Sequence, residues 1–435
     1  MLLRDAGGNR RVYDVQQVHG RRTSGTPVVR VLGIDASFTR ESQPPGTVAS
    51  LLVATDTRWL TLEIFQSGPE RTPSYRDDLL NGFPVSHPVT LNWRSHRDAP
   101  GRIRVRVGLW PSGVYYARLT AHDGRIGYAP LIVRPRRLGE HRIAVVMPTN
   151  TWAAYDFWDE TGDGIGDTWY AACTVQLDRP FLQRGEPPHF RRYDLPFLHW
   201  LAWDSTAAND LPSPPWISEA NHPVDYLGDA DVEAVINGGV LARAYDLIVF
   251  PGHHEYVTSH EYDVVVQYRN RGGNLAFLTA NNFFWRVNRE GGRLRRVAKW
   301  RDLGRPEAAL IGVQYRANDE GQRKGAFVIR DTADAAWLFD GTGLVDGSAF
   351  TGYGYPGGPF GIEIDATAAS SPAGTKVLAE IPDIYGPGIT AQMTYYETLF
   401  GAKVFAAGAF SLAGAATSQP ITRLLDNLWE HLARP

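Results

Sequence analysis

The first third of the chain alternates polar residues with apolar or β-branched ones. This alternation runs through residues 49–65, 102–110 and 114–122, and turn-forming clusters rich in proline and glycine separate the segments. A repeat of two residues is that of a strand with one buried face, and proline and glycine mark the turns that join such strands. The pattern predicts an immunoglobulin-like β-sandwich over residues 1–137.

The hydrophobic pattern changes after a charged stretch at residues 134–142. Residues 143–147 (IAVVM), 245–250 (YDLIVF) and 275–278 (LAFL) are continuous apolar runs, with segments of helical spacing between and after them. Such runs are typical of strands buried on both faces of a parallel sheet. The sequence therefore predicts a second domain, residues 138–435, with an open, mostly parallel α/β sheet.

The clearest helix of this domain begins behind Thr258. Thr258 is a suitable N-cap, and Glu261, three residues later, completes a capping box. Val257 and Tyr262 occupy the two positions of a hydrophobic staple. We expect the helix to end at residues 272–273, two glycines that accept a left-handed backbone.

Composition and charge narrow the class of protein. A chain of 435 residues exceeds the usual size of a single core, which supports two domains. A net charge of -3 gives no strong field to attract nucleic acid or an anionic membrane. The single cysteine, Cys173, excludes an internal disulfide, and the first residues form no apolar stretch of signal-peptide length. These observations predict a cytoplasmic protein with neither nucleic acid nor membrane as a partner.

Three loops carry the chemistry-bearing residues, and each follows one apolar run. They are residues 148–155 (PTNTWAAY), 251–256 (PGHHEY) and 279–286 (TANNFFWR). Ligands of open α/β sheets bind outside the carboxyl ends of the strands. We therefore expect the three loops to converge on one pocket.

The His-His-Glu loop has the highest density of functional groups. His253 and Glu255 are two residues apart and should face one cavity, while His254 faces elsewhere. The plain alternative is a solvated loop whose carboxylate lies near a helix N-terminus. A zinc site formed by these three residues and His260 is a further alternative. Class I glutamine amidotransferases, which the predicted α/β domain resembles, place a cysteine on this turn, whereas Cys173 of this chain should be a buried apolar residue.

A second candidate is the acidic loop at residues 159–167. Oxygen donors including Asp159, Asp163 and Asp167 alternate along it, with a glycine at the tight turn, as in the first nine positions of an EF-hand loop. The twelfth position is Tyr170 where that loop needs a glutamate. The loop is thus a candidate for calcium, and the alternative is a solvated glycine-rich loop.

Taken in order, these motifs resemble the large (beta) subunit of N,N-dimethylformamidase. The matching stretches are WPSGVY at 110–115, NTWAAYD at 150–156, TWY at 168–170, LDRPF at 177–181, YDLIVFPGHHEY at 245–256, RGGNLAFLTANNFFWRV at 271–287, GIEID at 361–365 and TYYETLFGAKVFAAGAF at 394–410. No single stretch is diagnostic, but their order is. The resemblance covers most of the predicted α/β domain and, more loosely, the predicted sandwich.

The resemblance implies a mononuclear ferric amidohydrolase. Carried over by motif, the iron ligands would be Tyr155, Tyr170 and Glu255. Ferric iron is a hard acid that suits phenolate and carboxylate oxygens, and only a strong adjacent cation keeps two phenols ionised near neutral pH. Such an ion polarises an amide carbonyl or lowers the pKa of bound water.

The resemblance also implies roles for three further residues. His253 would be the catalytic histidine, Glu363 would join it in proton transfer, and Asn281 would bind substrate. The chain departs from the family in being much shorter and in compressing the stretch between Tyr155 and Tyr170. It does not encode the small subunit that accompanies the family's large one. A homo-oligomer or an unidentified small subunit is therefore the expected assembly.

The leading hypothesis is an iron-dependent hydrolase acting on a small linear amide or a related C–N bond. The alternative is a non-catalytic protein that binds a ligand or carbohydrate on the same scaffold and holds calcium in the loop at residues 159–167. A third hypothesis is a zinc hydrolase that uses the histidines. The sequence leaves the identity of the substrate open, because specificity depends on pocket shape and a few polar contacts.

Overall fold

The computed structural model describes residues 2–4, 10–12, 33–74, 79–97, 99–158, 166–168, 173–203, 222–352 and 360–433. In this part of the chain 35% of the residues lie in strands and 21% in helices, so the protein is a mixed α/β protein rich in strands. The chain forms two compact units. The first consists of Met1–Arg134, Thr149–Phe190 and Asn288–Arg296, and the second of Pro135–Pro148, Arg191–Val287 and Val297–Pro435.

The strands are β1 Leu2–Arg4, β2 Arg10–Val12, β3 Asp35–Phe38, β4 Ser42–Gln43, β5 Val48–Ala54, β6 Trp59–Gln66, β7 Phe83–Pro84, β8 Val89–Asn92, β9 Gly101–Arg106, β10 Gly113–Ala121, β11 Ile126–Val133, β12 Ile143–Met147, β13 Thr174–Gln176, β14 Asp225–Gly228, β15 Leu247–Phe250, β16 Tyr256–Thr258, β17 Asn274–Phe277, β18 Trp285–Glu290, β19 Arg293–Lys299, β20 Gln314–Asn318, β21 Lys324–Gly325, β22 Phe327–Ile329, β23 Ala349–Phe350, β24 Phe360–Ala366, β25 Lys376–Ile381, β26 Ala391–Glu397, β27 Lys403–Ala406 and β28 Ala409–Phe410. The α-helices are α1 Thr149–Tyr155, α2 Phe190–Tyr193, α3 Leu195–Ala202, α4 Asp229–Glu233, α5 Gly238–Ala244, α6 Ser259–Arg269, α7 Ala308–Ile311, α8 Ala336–Phe339 and α9 Ile421–Leu432. Short 3-10 helices cover Arg94–His96, Arg301–Leu303, Ala333–Ala335 and Ala413–Ala415. Within the described residues no helix is both long and apolar enough to cross a membrane.

The first unit contains two sheets that share one hydrophobic core. One sheet has the order β3-β5-β9, and the other has the order β4-β11-β10-β6-β7 with β8 also paired to β6. Inward residues of both sheets, among them Leu51, Leu60 and Leu119, belong to a single buried cluster. The alternation read from the sequence thus corresponds to strands with one face in the core.

Glu70 is a buried acid of this unit, and it makes a pH-dependent prediction. Its Oε2 accepts a hydrogen bond from the Gly68 amide at 2.5 Å, and burial raises its pKa to about 8. The folded state therefore holds a proton that the unfolded state has lost above the ordinary pKa of 4.5. Stability should fall as pH rises from about 4.5 to 8, by on the order of 1 kcal/mol per pH unit.

We expect Glu70→Gln to remove most of this slope, because glutamine carries no proton to lose. Urea unfolding at pH 5 and pH 8 measures it: the variant should gain stability over the wild type at pH 8 and little at pH 5. Glu290→Gln, a change at an exposed carboxylate of the same unit, is the control. Parallel pH slopes in the wild type and Glu70→Gln would show that Glu70 does not titrate in this range.

The second unit is built on a nine-stranded sheet of order β14-β12-β15-β17-β27-β26-β25-β22-β23. The strands from β14 to β27 are parallel, which confirms the parallel pairing predicted from the apolar runs. The rest of the sheet is antiparallel, so the sheet is mixed rather than mostly parallel. The reason is chain length: β26 and β27 are joined by residues 398–402, whereas a parallel crossover needs about a dozen residues.

The capping box that begins α6 is present as predicted. The Thr258 hydroxyl accepts from the Glu261 amide at 3.0 Å, and the Glu261 carboxylate accepts from the Thr258 amide at 3.4 Å. Gly272 has the expected left-handed backbone, with φ +89°. The helix itself already ends at Arg269, before the two glycines.

Cys173 does not behave as predicted. Its side chain is exposed, and its backbone carbonyl accepts a hydrogen bond from the Arg296 amide at 2.9 Å. The expectation of a buried apolar cysteine is therefore wrong. Cys173 directly precedes the edge strand β13, which pairs with β19 on one side only, and its side chain is therefore left uncovered.

Candidate functional site

The His-His-Glu loop lies at the carboxyl end of β15. This strand has parallel neighbours on both sides, β12 and β17. Gly252 begins the turn, and a Cβ there would lie 2.4 Å from Oδ1 of Asp194 and 2.7 Å from Cγ of Pro148. Only glycine therefore fits at this position against the side chains of Asp194 and Pro148.

Backbone hydrogen bonds join this loop to the loop that follows β17. The amide of Phe283 donates to the His254 carbonyl at 2.6 Å, and the amide of Trp285 donates to the Glu255 carbonyl at 2.8 Å. The Asn282 side chain accepts from the His254 amide at 3.3 Å. The predicted convergence is thus confirmed for these two loops. The residues after β12 form helix α1 instead of a loop, and this helix belongs to the first unit.

His253 lies between two buried carboxylates. Its Nε2 is 3.1 Å from Oε2 of Glu363 and 3.5 Å from Oε2 of Glu255, and the three side chains are 13%, 9% and 3% exposed. The imidazole packs edge-on against Phe410, with ring centroids 4.7 Å apart. The two-residue spacing predicted that His253 and Glu255 face one cavity, and the structure places their side chains in contact.

The charge state of His253 follows from these neighbours. Burial alone would lower the pKa of the imidazole, but Glu363, and then Glu255 and Asp365, outweigh it and raise the pKa above the ordinary value. A charged imidazolium between carboxylates is the favoured form, because each carboxylate stabilises the positive charge. His253 is therefore equipped to hold a proton at Nε2 close to two oxygen acceptors.

Asp365 is a residue of this region that sequence reasoning missed. Its two carboxylate oxygens accept the Asn281 amide at 2.9 and 3.1 Å, and Asn281 has a left-handed backbone with φ +56°. Burial raises the pKa of Asp365 to about 8, although the Asn281 amide opposes the shift. Asp365 thus holds Asn281 in an uncommon conformation. The sequence spacing could have indicated Asp365, because it follows Glu363 by two residues on one strand and therefore shares its face.

Asn281 is the residue that the resemblance implies as a substrate-binding residue. It is 2% exposed, and its Oδ1 is buried without a hydrogen-bond partner in the described part of the chain. A buried polar atom left unsatisfied is costly. The substrate-binding role of Asn281 stays a prediction.

His254 points away from His253, toward a second buried group. Its Nε2 is 3.3 Å from Oδ1 of Asp229, and both side chains are 1% exposed. Burial and the adjacent Asp229 raise the pKa of Glu261 well above its ordinary value. His254 thus contacts α4 through Asp229, while His253 contacts Glu363.

The histidines do not form the alternative zinc site. His253 contacts Glu363, His254 contacts Asp229, and Nε2 of His260 lies 2.6 Å from the Val235 carbonyl. Among the described residues no three His, Cys, Asp or Glu side chains are grouped so as to hold a metal ion. A zinc site made of His253, His254, Glu255 and His260 is therefore wrong, because the side chains diverge.

The structure describes one of the two predicted phenolate ligands, Tyr155. Tyr155 is the last residue of α1, in the first unit, and is partly buried. Tyr170 lies outside the described residues, as do Asp159 and Asp163 of the acidic loop. Asp167 is described, and its amide donates to the Trp158 carbonyl at 2.8 Å. The iron ligand set and the calcium loop stay predictions.

Arg179 is a second residue that sequence reasoning missed, and it holds the base of the acidic loop. Its guanidinium donates to the carbonyls of Ala153 at 3.1 Å, Asp156 at 2.9 Å, Trp158 at 3.2 Å and Asp167 at 3.1 Å. Its Nε is 3.6 Å from Oδ2 of Asp156, with the two side chains 5% and 2% exposed. One buried cation therefore fixes both the end of α1, which carries Tyr155, and the ends of the loop.

Solved structures give only distant likenesses. Superoxide reductase (neelaredoxin) from Ignicoccus hospitalis matches 23% of this chain and 80% of its own, at 12% identity and a TM-score of 0.16. The PKD domain of an M14-like peptidase from a Thermoplasmatales archaeon matches 23% of this chain and 89% of its own, at 12% identity and a TM-score of 0.12. A structure of PhoD matches 95% of this chain and 98% of its own, at 10% identity and a TM-score of 0.20. Scores this low establish no shared fold, and the likeness to class I glutamine amidotransferases stays a prediction.

Comparison with sequence families assigns the chain to one family. No curated protein matches the chain closely enough to count as a relative. A family model described as N,N-dimethylformamidase beta subunit-like, C-terminal, matches residues 93–421. The match takes in the His-His-Glu loop, Asn281, Glu363 and Asp365. Because this match spans most of the length of the chain, the chain belongs to the N,N-dimethylformamidase beta subunit-like family.

Proposed function

We propose that the protein hydrolyses a small linear amide or a related C–N bond, with ferric iron as its cofactor. Family membership supports amide hydrolysis. The observation that carries the proposal is the placement of His253 between the buried carboxylates of Glu255 and Glu363. A proton-holding group in contact with a proton acceptor, at the carboxyl end of a central strand, is the arrangement that acid–base catalysis requires.

The side chains divide the proton transfers between them. His253 holds a proton at Nε2 and releases it to the departing amine, which must be protonated to leave. Glu363, 3.1 Å away, stabilises the imidazolium before the transfer and accepts a proton from the attacking water. Asn318 donates to Oε1 of Glu363 at 3.3 Å, which leaves Oε2 directed at His253.

The donor chemistry of the site fits a hard metal ion. Glu255 and Glu363 are 2% and 7% exposed and both contact His253, and buried carboxylates are stabilised by a nearby cation. Glu255 would hold the ion together with Tyr155 and Tyr170. Bound ferric iron would polarise the amide carbonyl and lower the pKa of a bound water. Phenol and carboxylate oxygens suit this ion better than imidazole does.

Metal analysis tests the cofactor directly. Protein purified after iron supplementation should contain about one iron per chain and show a visible phenolate-to-iron band. Tyr155→Phe should abolish or shift the band, and Glu255→Gln should lower the iron content, because each removes an anionic oxygen donor. Tyr116→Phe and Glu290→Gln, changes at a tyrosine whose hydroxyl bonds to the Leu80 carbonyl and at an exposed carboxylate, should leave both readings unchanged.

Folded protein that takes up no iron and shows no band would contradict the cofactor proposal. Calcium bound at residues 159–167 without iron would favour the alternative of a non-catalytic protein that binds a ligand or carbohydrate. We also infer a second, smaller subunit or a homo-oligomer as the working assembly, since the family is named for a beta subunit. A cytoplasmic location belongs to the same proposal.

A further inference from the structure

Tyr315 lies on β20, directly opposite the strand that carries Glu363 and Asp365. In the antiparallel register Tyr315 pairs with Asp365, and Asn318 pairs with Glu363. Directly opposed residues of an antiparallel pair place their side chains on the same face of the sheet. Glu363 and Asp365 share a face because they are two residues apart. The phenol therefore extends from the face that carries both carboxylates.

The ring of Tyr315 is fixed by its surroundings. It packs against Phe284, with ring centroids 5.0 Å apart, and Phe284 stands between the two residues whose amides bond to the His-His-Glu loop. The Tyr315 carbonyl accepts from Nη2 of Arg301 at 3.1 Å, and Arg301 is paired with Glu307, whose side chain is 1% exposed. Tyr315 is thus held by the same loop that holds the candidate site.

The hydroxyl of Tyr315 is free to act as a donor. It makes no hydrogen bond to any residue in the described part of the chain. Burial, and then Glu363, Glu255 and Asp365, raise the pKa of the phenol to about 12. The group therefore keeps its proton at any working pH. An ionised carboxylate only accepts hydrogen bonds and so cannot hold the carbonyl oxygen of a substrate. Asp365, whose pKa burial raises to about 8, already directs both oxygens at the Asn281 amide.

We propose that Tyr315 is a substrate-binding residue whose hydroxyl donates a hydrogen bond to the carbonyl oxygen of a small amide. This proposal rests on the proposed function and names a residue of the same site that determines specificity. A donor preorganised beside a carbonyl strengthens its hydrogen bond as negative charge develops on the oxygen during attack. Tyr315 should accordingly favour substrates whose acceptor is oxygen over those whose acceptor is sulfur.

The test compares acetamide with thioacetamide, since sulfur is a weak hydrogen-bond acceptor. Binding of each probe to iron-free full-length protein is measured by NMR titration, for the wild type and Tyr315→Phe. We expect the substitution to weaken acetamide binding by about 3- to 10-fold, the range of a neutral hydrogen bond, and to change thioacetamide binding much less. In iron-loaded enzyme it should lower kcat/KM for acetamide by at least the same factor.

Tyr268→Phe is the matched control, because its hydroxyl bonds to the Tyr245 carbonyl within the same unit. A merely structural role of Tyr315 would change both probes equally and lower the melting temperature. Equal acetamide affinity in the wild type and Tyr315→Phe, or no binding of acetamide to the wild type, would overturn the proposal. Oxygen-selective binding without turnover in any iron-loaded sample would uphold it and instead count against the proposed hydrolysis.

Discussion

Replacing His253 by glutamine should lower the rate of amide hydrolysis by about 100- to 10,000-fold, the usual contribution of a positioned acid–base group. Glutamine preserves a polar side chain of similar reach but cannot transfer a proton. Because Nε2 of His253 lies between Glu255 and Glu363, the loss should appear mainly in kcat. Steady-state kinetics on formamide and acetamide, with the iron-loaded enzyme, measure it.

Two comparisons separate chemistry from folding in this experiment. His260→Gln changes a histidine of α6 whose Nε2 faces the Val235 carbonyl, and its activity should stay within a few-fold of the wild type. Glu363→Gln should lose activity to a similar extent as His253→Gln, and the double variant should lose little more, because residues that act as a unit are not additive. Wild-type kcat in folded, iron-loaded His253→Gln would exclude the histidine as the acid–base group.

Local sequence signals predicted local structure well. The capping box of Thr258 and Glu261, the apolar runs that became β12 and β15, and the opposite directions of His253 and His254 each depend on residues within a few positions. Short-range rules such as capping and strand periodicity operate over that distance. Strand pairing also predicted that the loops after β15 and β17 meet, since parallel neighbouring strands end at one edge of the sheet.

The contacts that the sequence did not reveal are long-range ones. Asp365 holds Asn281 from 84 residues away, and Tyr315 meets its carboxylate neighbours only through the register of β20 and β24. No local pattern encodes a pairing of that kind. The antiparallel half of the sheet was visible in principle, because the connection at residues 398–402 is too short for a crossover.

Arg179 is a buried cation whose loss should lower the stability of the first unit strongly. We expect Arg179→Met to lower the free energy of unfolding by about 3–5 kcal/mol, the cost of leaving one partner of a buried ion pair uncompensated. Methionine fills much of the volume, but it leaves Asp156 without the cation and removes the guanidinium N–H groups that donate to the carbonyls of Ala153, Trp158 and Asp167. Urea unfolding and hydrogen exchange of the α1 amides measure the loss.

The pH dependence of this loss identifies its cause. Burial already raises the pKa of Asp156 to about 6 although Arg179 opposes the shift, so removing the guanidinium should raise it further. The cost of Arg179→Met should therefore be smaller at pH 5, where Asp156 is largely neutral, than at pH 8, where its charge is unpaired. Adding Asp156→Asn should recover part of the stability at pH 8. Arg104→Met, a change at an exposed arginine of the same unit, is the control and should lower the free energy of unfolding only slightly. An equally small loss of stability in Arg179→Met would mean that water replaces the guanidinium.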